Sequence, residues 1–191
     1  METPAACDAP DGTLYERFLH GEIAATVRED YLSDLSGHID QSPLEKGKSY
    51  TLEGLGKLVN YCYLERFRFG YTERTSYDNI LYAYIGCLDG DAKNLLIMFY
   101  GLDIYCEDDN SYTVMAVTEQ EGRLYITCQY DSWVRSSTTE YTRGQIIRAG
   151  SSGAGDHGSD LSVILADGTC EQIYDKEYLN DEWIRYANED I

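Results

Sequence analysis

The chain has 191 residues, with 34 acidic against 15 basic side chains and a formal charge of −19 at neutral pH. Hydrophobic content of 43% with 18 tyrosines excludes a disordered chain and allows one well-filled core, so a single domain over 13–191 is expected behind a loose tail over 1–12. So acidic a surface repels phosphate backbones, which argues against direct nucleic-acid binding, and no run approaches the roughly 18 to 20 apolar residues of a membrane-spanning helix.

In chain order, the first signal is the capping box Thr13-Leu-Tyr-Glu16, with Leu14, Tyr15, Phe18 and Leu19 on one helical face and Gly21 as the stop. Residues 22–49 read as irregular and polar, with a short strand through Ile23, Ala25 and Val27. A second helix is predicted from Thr51 to Cys62, where Leu52, Leu55, Leu58, Val59 and Cys62 recur at helical spacing despite Gly54 and Gly56. From Asn79 the pattern turns to β. Asn79–Gly86 and Asn94–Tyr105 are apolar runs on either side of the turn Leu88-Asp-Gly-Asp91, and Ser111–Thr118 alternates with Arg123–Tyr130 around Gln120-Glu-Gly122. Thr138–Arg148 reads as one strand, and Ser159–Leu165 and Thr169–Tyr174 flank the turn Ala166-Asp-Gly168. Asn180 caps a predicted final helix carrying Trp183, Ile184 and Ala187 on one face. The expected fold is α+β: an antiparallel sheet of about five to seven strands, two N-terminal helices and a short C-terminal helix, since each connection is too short for a parallel crossover.

Little in the chain points to catalysis. Gly153-Ala-Gly155-Asp-His-Gly158 has dinucleotide-loop spacing but leads into a strand pattern, so Gly150–Gly158 reads as an exposed, mobile connecting loop. Ser151, Ser152, Asp156 and His157 are hydrolase residue types, yet they are sequence neighbours and there is no nucleophile elbow, so no catalytic residue is assigned. The six cysteines, Cys7, Cys62, Cys87, Cys106, Cys128 and Cys170, form no Cys-x-x-Cys; most read as small core residues, and in an oxidising compartment a few could pair. Neither Asp89-Gly-Asp91 nor His20, His38 and His157 has metal-ligand spacing, so no metal and no cofactor are expected.

Binding signals are stronger. Acids dominate 78–121 and 153–191, while 122–152 is a basic island holding Arg123, Arg135, Arg143 and Arg148 against Asp131 and Glu140. Trp, Tyr and Arg dominate binding hot spots, so Tyr130, Trp133, Arg135, Tyr141, Arg143 and Arg148, with His157, are the candidate contact residues. A second candidate surface is acidic, formed by Asp103, Glu107, Asp108, Asp109, Asp156 and Asp160, and would attract a basic protein partner.

Tyr15-Glu-Arg-Phe-Leu-His-Gly-Glu-Ile23, Tyr82-Ala-Tyr-Ile85 through Asp89-Gly-Asp91, Ser132-Trp-Val-Arg135 and Ser151-Ser-Gly-Ala-Gly155 follow one another along the chain. This series resembles predicted lipoproteins and surface proteins of anaerobic gut bacteria, a group with no established activity. The resemblance implies an extracellular or envelope location. The opening Met1-Glu-Thr-Pro-Ala-Ala-Cys7 lacks a basic n-region and an apolar h-region, and read as a native start it implies the cytoplasm. The first functional expectation is a non-enzymatic, cell-surface-related binding domain with a protein partner. The second is an acidic nucleic-acid mimic that inhibits a nucleic-acid-binding enzyme such as a bacterial defence nuclease.

Overall fold

The structure, a computed structural model, describes residues 13–34, 44–58, 79–87, 89–102, 110–132, 136–142, 144–153, 156–179 and 182–187. Helix α1, Leu14–Leu19, begins as the capping box dictates: Thr13 Oγ1 accepts from the Glu16 amide at 3.2 Å. Residues 52–58 form a second helical segment, α2, with Thr51 Oγ1 accepting from the Gly54 amide at 3.2 Å. Its predicted continuation to Cys62, like the predicted tail over 1–12, lies outside the described residues.

Strands make up most of what is described: β1 (Ala25–Asp34), β2 (Ser49–Tyr50), β3 (Asn79–Gly86), β4 (Lys93–Leu102), β5 (Asn110–Gln120), β6 (Arg123–Ser132), β7 (Ser136–Thr142), β8 (Gln145–Gly153), β9 (Asp156–Ile164), β10 (Cys170–Leu179) and β11 (Glu182–Ala187). They form a six-stranded sheet, ordered β2-β1-β6-β5-β4-β3, and a five-stranded sheet, β11-β10-β9-β8-β7. Apolar runs predict β3 and β4 closely and alternation predicts β5 and β6; in the β9–β10 pair the predicted second strand ends at Tyr174, short of Leu179.

Several expectations are corrected. The strands number eleven among the described residues, against the predicted five to seven. The predicted C-terminal helix is strand β11, paired in six positions with β10. Trp183, Ile184 and Tyr186 favour a strand once β10 offers a free edge. The strand predicted over Thr138–Arg148 is two, β7 and β8, separated by Gly144. The expected Gly150–Gly158 loop is largely paired: Gly150↔Gly158, Ser151↔His157 and Gly153↔Asp156 are cross-strand partners in a β8–β9 hairpin. Pairing is antiparallel throughout except for β1, which lies parallel to β6. Short connections exclude parallel pairing only between consecutive strands. Here β2 to β5 intervene, giving the chain ample length to return.

A bulge in β6 gives the six-stranded sheet two apolar faces. Ala116 pairs with Cys128 but Val117 with Ile126, leaving Thr127 as the extra residue. Before the bulge, Leu124 and Ile126 join Tyr15 and Phe18 of α1, Leu44, Leu55 of α2, and Leu95, Ile97, Phe99, Met115 and Val117. After it, Cys128 and Tyr130 turn to the opposite face and pack with Ile85 and Ala116 against Ile146 and Ile164 of the five-stranded sheet. Gln129 turns the other way, and its Oε1 accepts from the Tyr31 hydroxyl at 2.7 Å.

Tyr15 fixes α1 to the sheet. Its hydroxyl donates to the Lys93 carbonyl and accepts from the Glu119 amide, both at 2.8 Å. Burial is the main reason its phenol ionises only at about 12, from an ordinary 10.0. The folded state therefore keeps this proton after the unfolded chain has lost it, so stability falls as pH rises from 10 towards 12. Tyr15→Phe is expected to destabilise the protein by about 1 kcal/mol at neutral pH and to flatten this alkaline decline. Melting temperatures of both proteins between pH 8 and about 11.5 would check it; an unchanged alkaline slope would contradict the assignment.

Candidate functional site

The register of the five-stranded sheet fixes where the sequence-predicted residues stand. Arg148 on β8 is the cross-strand partner of Asp160 on β9. Their side chains form an ion pair, Nε to Oδ1 at 2.8 Å, with Asp160 only 4% exposed and Arg148 19%. Two residues expected on separate surfaces, one basic and one acidic, thus belong to a single half-buried pair. Tyr130, expected as a contact residue, is 1% exposed and fills the core between the sheets, its hydroxyl 2.8 Å from Cys170 Sγ. These positions correct the sequence reading: Tyr130 and Asp160 are interior residues. Amphipathic Tyr and a lone carboxylate look alike in sequence whether they serve a surface or a core.

Tyr141 stands on β7, the edge strand, whose described neighbour is β8. His157 stands opposite Ser151 on one side and Tyr178 on the other. Asp156 is flanked by Gly153 and Leu179. Trp133, Arg135, Arg143, Asp103, Glu107, Asp108 and Asp109 lie outside the described residues.

Tyr178 also pairs with Trp183. One row therefore crosses four strands, Ser151, His157, Tyr178 and Trp183, at the end of the sheet carrying the β8–β9 and β10–β11 turns. Tyr178 and Trp183 are missing from the sequence-predicted set. Once 182–187 is read as a helix, Trp183 has no cross-strand neighbour, and Tyr178 lies beyond the predicted end of its strand. Residues 170–179 do not alternate between polar and apolar types, so no local pattern marks these two positions.

Sequence reading also misses the fastening at the opposite end. The Arg28 guanidinium on β1 holds the Asp30 carboxylate through Nε and Nη2, and reaches over to the Asp167 carbonyl and, at 3.1 Å, Thr169 Oγ1. The hydrogen bond from Arg28 holds the Asp30 carboxyl below the usual carboxylate range. The Thr169 amide and hydroxyl do the same for Asp167. Asp89 accepts from the Ala166 amide at 2.6 Å, so the two Asp-Gly turns of the chain dock on each other. Gly168, at φ +78°, is required there because a Cβ would meet the Thr118 side chain at 2.6–2.7 Å. Asp89 thus serves a structural contact.

Among the described residues, no group of three or more His, Cys, Asp or Glu side chains is placed to hold a metal ion, and no helix is long and apolar enough to cross a membrane. No family model, curated protein or solved structure matches the chain.

Proposed function

We propose that this chain is a non-catalytic binding domain that docks a protein partner on the hairpin-tip end of its five-stranded sheet. The observation that carries the reading is the row Ser151, His157, Tyr178 and Trp183, four residues at adjacent register positions on four strands. Tyr and Trp bring large contact area at low conformational cost, and hot spots are enriched in them. Edge strand β7 borders the same sheet, and Trp133, Arg135 and Arg143 flank that strand in sequence. The resemblance to envelope proteins supports a cell-surface setting. Arg148 is assigned to the fold, since its ion pair with Asp160 already occupies it.

A photoreactive residue at position 178 or 183 is expected to crosslink the partner, while the same residue at 57, on the far helix α2, is not. Crosslinking from 57 but not from 178 or 183 would move the site off this sheet.

A further inference from the structure

Cys128, Cys170 and Tyr130 meet where the two sheets face each other. Cys128 belongs to β6 and is fully buried, whereas Cys170 opens β10 and is partly exposed. Both are free thiols. Cys128 and Tyr130 belong to one core cluster, Cys170 packs against that cluster, and the Tyr130 hydroxyl lies 2.8 Å from Cys170 Sγ. A cation stands close by: Arg28 donates to Thr169 Oγ1, on the residue preceding Cys170. The half-buried Cys170 thus has a phenol on its sulfur, a second thiol in the same cluster and a guanidinium bonded to the preceding residue, all of which favour negative charge on it. Core packing alone needs none of this polarity; a buried Cys128 would pack equally well against an aliphatic residue.

We propose that Cys170 and Cys128 form a hydroperoxide-reactive dithiol, with Cys170 as the attacking sulfur and Cys128 as the resolving one. The ionisation behaviour agrees with these roles. Donation from Cys128, then from Tyr130, and the field of Arg28 push the Cys170 thiol below its ordinary range, while burial pushes Cys128 well above it. In the first step the Cys170 thiolate attacks the distal peroxide oxygen. The O–O bond breaks, the alkoxide or hydroxide leaves and takes up a proton, and Cys170 becomes a sulfenic acid. In the second step the Cys128 sulfur attacks Cys170 Sγ, the S–OH bond breaks, and hydroxide leaves as water with the Cys128 proton. Two thiols and one hydroperoxide yield one disulfide, one alcohol (water from hydrogen peroxide) and one water, with two electrons transferred. The product ties β6 of one sheet to β10 of the other across the shared core. The two sulfurs, packed in one cluster, must close to about 2.05 Å for the bond to form.

The test uses the full, reduced chain and hydrogen peroxide as oxidant, read by mass spectrometry of non-reducing digests. A Cys128–Cys170 crosslinked peptide that disappears on thiol reduction is expected. Cys128→Ser should stop at a sulfenic acid on Cys170, trapped by dimedone. Cys170→Ser should leave Cys128 unlabelled. Should either variant fold poorly, alkylation of the wild-type protein decides: at neutral pH Cys170 is expected to react at least about tenfold faster than Cys87, whose thiol is buried and donates to the Ala92 carbonyl. Tyr130→Phe should slow Cys170 alkylation while leaving Cys87 unchanged. Oxidation that spares Cys170, a crosslink excluding Cys128, or equal alkylation of Cys170 and Cys87 would overturn the proposal.

Discussion

Asp160→Ala is expected to destabilise the protein by about 3–5 kcal/mol, while the double replacement Arg148→Met with Asp160→Leu stays within about 1 kcal/mol of the wild type or exceeds it. The asymmetry follows from burial. Asp160 is 4% exposed and Arg148 19%, so neither charge has full access to water, and each relies on the other at 2.8 Å. Removing the carboxylate takes from the half-buried guanidinium its acceptor at 2.8 Å, and much of the desolvation penalty appears as lost stability. Removing both charges gives up their attraction together with that penalty, and two apolar side chains across neighbouring strands fill the space. Urea unfolding of the wild type, both single variants and the double variant gives the coupling directly. A loss below about 1 kcal/mol for Asp160→Ala would mean that the pair is solvated and that Arg148 is available to a partner after all.

Gly144→Ala is expected to destabilise by about 3 kcal/mol, and the reason is local geometry. Gly144 has φ +78°, and an added Cβ would sit 2.7 Å from the Gly86 carbonyl oxygen and 2.9 Å from that of Ile164. The left-handed conformation alone costs an alanine about 1–2 kcal/mol, and the two backbone overlaps add about as much again, since neither carbonyl moves freely. Gly144 also accepts the Ile164 amide at 2.8 Å, so a shift there disturbs the β8–β9 ladder as well. Gly122 is the control. Its φ is +74° with nothing within 4 Å of an added Cβ, so Gly122→Ala should cost about 1 kcal/mol. Thermal unfolding of the two variants separates strain from overlap; equal losses would show that the β7–β8 turn yields.

These two positions also show how far the sequence is informative. The β3–β6 stretch is legible because β3 and β4 are apolar runs, β5 and β6 alternate, and the turns carry Asp-Gly and Glu-Gly signals. β1 was read as a short strand because its charged centre, Arg28-Glu-Asp30, conceals it. That charge is used: Arg28 and Asp30 fasten β1 to the β9–β10 turn. Pairing between distant strands leaves no local mark, so the parallel β1–β6 contact was invisible. Two segments whose element type differs from the local pattern hide the site. Reading Gly150–Gly158 as a loop removed the register that joins Arg148 to Asp160 and His157 to Tyr178. Reading 182–187 as a helix removed Trp183 from the same row.

The measurement that bears most directly on the binding role is capture of the partner by wild-type protein, by Tyr178→Ala and by Trp183→Ala, each at low and at high salt with and without competing DNA. Recognition through aromatic contacts and hydrogen bonds on the five-stranded sheet predicts a partner retained at high salt, indifferent to DNA and lost from both variants. A partner held equally by the variants, released by salt and displaced by DNA would contradict this account and assign the protein's −19 charge to mimicry of nucleic acid.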